Sequence, residues 1–319
     1  MSNPFAALLA LGIDALVGDP PRLYHHLAHP VALFGRLVAR AERALNTELA
    51  SVRTRRLHGG VLTVVLTAVA ALLGAVLADL LGRVPGGWVA EAVLASTLVA
   101  ARSLYEHVRA VAHALEKGIE QAREAVRHIV GRDPDSLDTP GVARAAVESA
   151  AENFSDGVVA PLFWYCLLGL GGLFAYKAIN TLDSMLGHRD ARFEAFGKTA
   201  ARMDDIVNWV PARLAGLLFV LAAVAMREAD AQQAWHVMWR DAPKHRSPSA
   251  GWQEAAVAGA LGFALAGPRQ YAAEDVNDVW MGHGRKALDA ADIRMTLRLY
   301  VIATVWLALG LALASLLGG

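Results

Sequence analysis

Two stretches of this 319-residue chain run for twenty residues or more without a charged side chain: Gly59 to Ala78 (GGVLTVVLTAVAALLGAVLA) and Leu299 to Gly319 (LYVIATVWLALGLALASLLGG). A helix rises about 1.5 Å per residue, so about 20 apolar residues cross the hydrocarbon core of a bilayer. Buried helices of water-soluble proteins seldom stay free of charge for so long, and both runs predict membrane-spanning helices. Composition agrees, with 55% hydrophobic and 19% charged residues, against about 45–50% and about 25% in soluble domains. So much apolar surface excludes a disordered chain. The 30 Lys+Arg balance 30 Asp+Glu, so no net field draws the chain to nucleic acid. One cysteine, Cys166, excludes an intramolecular disulfide and a cysteine-cluster metal site.

Other apolar stretches are less decisive. Gly157 to Tyr176 is uncharged for twenty residues, and Val84 to Ala101 is interrupted only by Glu91. Pro4 to Val17 contains Asp14 and lacks the basic start of a secretory signal, so it reads as a short span or a half-buried helix. Leu214 to Met226 is too short to cross unless Ile206 to Val210 extends it through Pro211. Ala255 to Gly267 is Ala/Gly-rich and reads as a helix packed against protein. The polar segments at 18–58, 102–156, 177–213 and 227–298 read as helical; within 102–132, Glu116, Glu120 and Glu124 recur at i,i+4 spacing. Asp133-Pro134 and Thr139-Pro140-Gly141 break that segment. No stretch shows the period-2 alternation of strands, and no linker suggests a second domain. The expected fold is all-α: one polytopic integral membrane helical bundle over residues 1–319, with polar helical loops. Seven arginines in 18–58 put that segment in the cytoplasm by the positive-inside rule.

Polar chemistry gathers in four patches. The first, Gly18-Asp19-Pro20-Pro21-Arg22 to His29-Pro30-Val31, holds His25, His26 and His29. Its prolines oppose a helix that would align the histidines, so zinc is not expected there. In the second patch, Arg144, Glu148 and Glu152 share a helical face, followed by Asn153, Ser155 and Asp156. Its bland reading is a solvated ion-pair ladder with Ser155 or Asp156 capping the next helix; its place beside an uncharged stretch favours a functional one. The third patch holds Lys177, Asn180, Asp183 and Ser184, then Arg202, Asp204, Asp205, Asn208 and Arg213. Carboxylates and amides at one-turn spacing are the oxygen donors Mg²⁺ takes when it shares its shell with water and phosphates, and Arg and Lys recognise phosphate. The fourth, Arg240 to Glu254, includes Lys244, His245, Ser247, Ser249 and Trp252 and suits a loop gripping an anion. Gly197-Lys198-Thr199 is not a P-loop, because the pattern requires glycine where Arg192 stands.

In order along nearly the whole chain, GDPPRLYHHLAHPV, ARSLYEHV, GVARAAVESAAENFSDGVVAPLFW, AYKAINTLDSMLGHR, ARMDDIVNWVPARL and DAPKHRSPSAGWQEAAVAGALG resemble the adenosylcobinamide-phosphate synthase family (CobD/CbiB) of cobalamin biosynthesis. One departure is Ser249, where that family usually carries asparagine. The resemblance implies a multi-pass ligase of the cell (inner) membrane with its active site facing the cytoplasm. It would join aminopropanol phosphate, or aminopropanol, to the propionate carboxylate of adenosylcobyric acid, using ATP and Mg²⁺ through an acyl phosphate. Under it, Glu152, Asp156, Asp183, Asp204 and Asp205 are expected as metal or base positions, with Asp183, Asp204 and Asp205 on the metal. Lys177, Asn180, Arg202, Asn208, Arg213, Lys244, His245, Ser247 and Trp252 are expected to bind substrate or phosphate. Homo-oligomers or association with other membrane cobalamin enzymes are expected partners besides the bilayer, and nucleic acid is not.

If 157–176 crossed the bilayer fully, its flanking acid patches would lie about 30 Å apart on opposite faces. Gly169-Leu170-Gly171-Gly172 offers a break, and irregular backbone at depth is tolerated where protein covers it. A re-entrant or broken helical hairpin is therefore expected at 157–176. Two rivals remain: a UbiA-like intramembrane prenyltransferase gripping diphosphate through aspartates, and an AmpE-like sensor or a transporter using Asp14, Asp79 and Glu91 as intramembrane acids.

Overall fold

The computed structural model describes residues 3–19, 29–47, 49–130, 134–188, 190–271, 274–276 and 278–317; His25 and His26 of the first patch lie outside them. Within them run α1 (Asn3–Val17), α2 (Pro30–Leu45), α3 (Val52–Gly82), α4 (Gly87–Ser96), α5 (Ala101–Lys117), α6 (Ile119–Arg127) and α7 (Thr139–Phe154). The chain continues as α8 (Ala160–Leu186), α9 (Lys198–Val207), α10 (Trp209–Ala225), α11 (Ala231–Asp241), α12 (Gly251–Leu261) and α13 (Ala290–Leu317). Among the described residues, three helical runs are long and apolar enough to cross a membrane: Val52–Gly82, Thr139–Leu186 and Ala290–Leu317. A fourth is counted if α9 and α10, bent by 49°, form one span. That bend falls at Asn208; Pro211 sits in the first turn of α10, where its missing N–H breaks no helical bond. The chain forms two compact units, each discontinuous in sequence: 1–100, 160–208 and 311–319, and 101–159 and 209–310.

In the first unit, Ser51 starts α3 by accepting the Thr54 N–H at 3.1 Å. Val61, Val65, Val69, Leu72, Val76 and Leu80 of α3 face outward, while Gly59, Leu62, Thr63, Ala70 and Gly74 are buried. Large apolar side chains outside and small ones inside are what lipid as solvent favours. A Cβ at Gly74 would lie 2.6 Å from the Leu170 carbonyl oxygen, and one at Gly171 3.0 Å from that of Ala71. Small residues thus let α3 and α8 close on each other, the main source of packing energy between membrane helices. Gly169 interrupts α8 with φ 64° and ψ −157°, a backbone essentially reserved for glycine. A Cβ at Gly172 would stand 2.6 Å from the carbonyl oxygen of Trp164, eight residues earlier, whereas a straight helix separates such residues by about 12 Å. The chain turns back here, as expected for a re-entrant hairpin. Leu182 and Leu186 of its returning arm pack with Val38, Leu62, Phe196 and Ala200.

Polar contacts fix the turn that follows. Buried Glu42 accepts from Arg192 Nε at 3.0 Å and Nη2 at 2.8 Å. Burial alone would push the Glu42 carboxyl up, but the Arg192 and Asn46 hydrogen bonds outweigh it and hold it below its ordinary value. The 84–101 stretch yields only ten helical residues, α4, whose Glu91 accepts from the Tyr165 hydroxyl at 2.9 Å.

The second unit departs from the sequence reading in three places. The helix expected over 102–132 divides at Gly118, whose φ of +145° no helix continues through. The chain between α7 and α8 does not stop and recap at Ser155 or Asp156; Ser155–Val159 is a π-helical segment that keeps it helical. Segment 227–298, expected to be helical, includes β1 (Leu265–Ala266) paired antiparallel with β4 (Trp280–Met281) and β2 (Arg269–Tyr271) with β3 (Glu274–Val276). Strands of two or three residues are too short to show alternation. The Ala/Gly-rich α12 is buried from Gly251 to Ala260, as expected of a helix packed against protein, but it ends at the left-handed Gly262, short of the expected Gly267.

Candidate active site

In the first unit, the returning arm of α8 places Lys177, Asn180 and Asp183 beside α9, which carries Arg202, Asp204 and Asp205. Asp204 is buried at 6% exposure. Asn208, fully buried, donates from Nδ2 to Asp204 Oδ2 at 2.9 Å and accepts from the Tyr176 hydroxyl at 3.0 Å. Asp204 Oδ1 is buried with no hydrogen-bond partner among the described residues. The carboxylates of Asp183 and Asp205 and the amide of Asn180 bear electrostatically on the Asp204 carboxyl group. His188 bears on Asp183 from beyond the arm's end. Three carboxylates and two amides thus converge, as the third patch suggested. Arg202 is exposed on α9 and Lys177 is half-buried.

Like charges crowded together around an unsatisfied oxygen invite a cation. Among the described residues, no three His, Cys, Asp or Glu side chains form a ready-made metal cage. Mg²⁺ does not need one, because it takes one or two carboxylates and completes its octahedron with water and phosphate oxygens. The all-oxygen donor set suits such a shared ion better than zinc, whose sites are built largely from Cys sulfur and His nitrogen.

The second unit brings together the fourth patch and Arg213. The Arg213 guanidinium lies between the indoles of Trp209, 3.9 Å away, and Trp252, 4.1 Å away. Arg213 Nη1 also donates to the Trp209 carbonyl at 2.5 Å. Stacking of this kind fixes the plane of the guanidinium so that its N–H edge is presented ready for an anion. Trp252 donates from Nε1 to the Pro248 carbonyl at 3.2 Å, which ties the stack to the basic loop. In that loop the His245 Nδ1 accepts from the Ser247 N–H at 3.0 Å, and Nε2 lies 3.9 Å from Glu254 Oε2. Ser247 Oγ accepts from the backbone N–H of Ala250 at 3.3 Å and faces the Ser249 hydroxyl at 3.1 Å. Ser249 is therefore buried in a hydroxyl pair.

Lys244 donates to Asp241 Oδ1 at 2.7 Å. Asp241, fully buried, also accepts from Arg240 and from the Gly282 N–H at 2.9 Å. Burial would raise this carboxyl, but the Arg240 and Lys244 bonds and the Gly282 N–H reverse the effect and hold it far below the usual carboxylate range. The sequence singled out neither Asp241 nor Tyr176 nor His188, although all three lie in the stretches that carry the family resemblance.

Of the second patch, Arg144 and Glu148 serve structure. Glu148 accepts the Ala266 N–H at 2.8 Å, and Arg144 donates to the Lys286 carbonyl at 2.6 Å. Glu152 is exposed and Asp156 half-buried on the following turns. Among the acids considered for a transporter, Asp79 is paired with Arg83 at 2.5 Å, and Glu91 holds Tyr165.

The model of the CobD/CbiB protein family matches residues 7–300. The chain is 48% identical to the cobalamin biosynthesis protein CobD of Brucella suis over 315 residues, covering 98% of this chain and 96% of that one. It is 49% identical to the CobD of Brucella anthropi with the same coverage, and 48% identical to that of Rhodobacter capsulatus over 98% of both chains. No solved structure matches it. The chain is therefore a member of the CobD/CbiB family of cobalamin biosynthesis proteins.

Proposed function

We propose that this protein is the adenosylcobinamide-phosphate synthase of cobalamin biosynthesis, an ATP- and Mg²⁺-dependent acid–amine ligase. It would join aminopropanol phosphate, or aminopropanol, to the propionate carboxylate of adenosylcobyric acid. The observation that carries the reading is the convergence of Asp183, Asp204 and Asp205 with Asn180 and Asn208, around an unsatisfied Asp204 oxygen. A carboxylate is a poor acyl donor. Transfer of the terminal phosphoryl group of ATP to its oxygen gives an acyl phosphate and ADP. The amine then attacks the carbonyl carbon, phosphate leaves with the C–O bond, and the ammonium proton passes to a base.

Asp183, Asp204 and Asp205 would hold Mg²⁺, which would supply positive charge to offset that of the phosphate groups. The chain's own cations would do the rest. Lys177 and Arg202 flank the carboxylates in sequence. Arg213, locked between two indoles, presents a planar donor edge matched to phosphate or carboxylate. Lys244 gives one of its three N–H donors to Asp241, leaving the others for an anion. His245, Ser247 and Trp252 would line the same anion-binding loop, and Glu152 and Asp156 are the candidate bases. The arginine-rich 18–58 segment favours a cytoplasmic active site.

A strain lacking this protein, supplied with cobyric acid and aminopropanol phosphate, tests the reading. It is expected to accumulate the acid and form no cobinamide phosphate. Unimpaired amide formation would refute it.

A further inference from the structure

A cleft of about 670 Å³ lies in the second unit between α5 and α13. One wall is the row Tyr105, Arg109 and His113, spaced i, i+4, i+8 on α5; the facing wall is Arg294 and Arg298 of α13. Leu297, Val301 and Ile302 complete it with apolar surface. Four cationic or titratable nitrogen side chains thus stand over a hydrocarbon floor, and among the described residues no acid lines the cleft. Arg294 pairs with Glu116, which also lies 3.6 Å from His113, and Arg298 pairs with Glu228; neither acid lines the cleft. Arg109 makes no ion pair with any described residue and stacks over the Tyr105 ring, 5.7 Å away.

The position of the cleft along α13 gives it meaning. Arg294 and Arg298 are the last charges before the uncharged run from Leu299. From the cleft, an exposed apolar row continues down the helix through Val301, Val305 and Leu309, about half exposed at 45%, 53% and 53%. A molecule that fits both halves carries an anion at one end and a hydrocarbon chain at the other.

We propose that this cleft is a binding site for one anionic phospholipid. Its phosphate sits among Arg109, Arg294 and Arg298, and an acyl chain lies along Val301, Val305 and Leu309. Basic pockets beside membrane helices at the headgroup level recognise anionic lipids in this way. The site is built from residues of the second unit alone and does not depend on the ligase reading.

The test uses the full-length protein in a neutral detergent, titrated with phosphatidylglycerol or with phosphatidylcholine of the same chains and followed by native mass spectrometry. The wild type is expected to retain phosphatidylglycerol at least about tenfold more strongly. One basic residue at a membrane surface is worth about 1 kcal/mol toward anionic lipid, so Arg109→Gln should weaken that binding about fivefold and leave phosphatidylcholine unaffected. Arg298→Gln should act alike, and Arg83→Gln, outside the cleft, should not. Equal retention of the two lipids, or an unchanged preference in both cleft variants, would overturn the proposal. Displacement of the lipid by millimolar inorganic phosphate would also overturn it, by assigning the cleft to a free anion.

Discussion

Replacing Asp241 with asparagine isolates the electrostatics of the second unit. The wild-type carboxylate is 1% exposed and accepts from Arg240, Lys244 and the Gly282 N–H. Asparagine keeps the shape and one acceptor oxygen, but its amide turns N–H groups toward two cations. Breaking a buried ion pair from one side costs about 3–5 kcal/mol. Here the cations are 29% and 44% exposed and can turn to water, so the lower end applies, about 3 kcal/mol. For a unit of this size that corresponds to a fall of about 6–12 °C in melting temperature. Trp239 and Trp252, 5.0 Å apart edge to face, report unfolding by their fluorescence. The pH dependence follows from the same contacts. The folded carboxyl titrates far below its unfolded value of about 3.9, so its stabilisation is complete above that value and is lost as pH falls below it. Wild type should therefore lose the advantage over Asp241→Asn only in acid below about pH 4. Identical melting at neutral pH, or a gap that closes on going to alkaline pH, would refute the reasoning.

Gly169→Ala places a Cβ on a backbone with φ 64° and ψ −157°. It should destabilise the hairpin by about 1–3 kcal/mol, measured as a lower melting temperature; a neutral result would mean the turn can form another way. Arg213→Lys keeps the charge but loses the planar stack between Trp209 and Trp252. It should raise the KM for the phosphorylated substrates more than it lowers kcat; an unchanged KM would remove Arg213 from the anion site.

The membrane spans were legible because lipid imposes one simple demand, a charge-free run of sufficient length, and Gly59–Ala78 and Leu299–Gly319 satisfy it. The reversal at Gly169 was legible from the local glycine density and from the need to keep polar patches on one face. The third patch was legible as chemistry, since Asp204 and Asn208 lie one helical turn apart. What the sequence hid are pairings between distant residues. Glu148 answers an N–H 118 positions away, so its place on a face with Arg144 and Glu152 read as part of a functional patch rather than as a brace. Tyr176 and Asn208 pair across 32 positions with no periodic signal. The helix break at Gly118 rests on a single glycine, and the strands near 265–281 are shorter than any pattern.

The carboxylates gathered in the first unit are the proposed phosphate-handling centre. The direct measurement is turnover of purified, full-length Asp183→Ala and Asp204→Asn with adenosylcobyric acid, aminopropanol phosphate, ATP and Mg²⁺, alongside their melting curves. Both variants should lose amide product by about a hundredfold or more, the scale for removing one group that stabilises transition-state charge, while still unfolding cooperatively. Near-normal turnover by either folded variant would contradict the account.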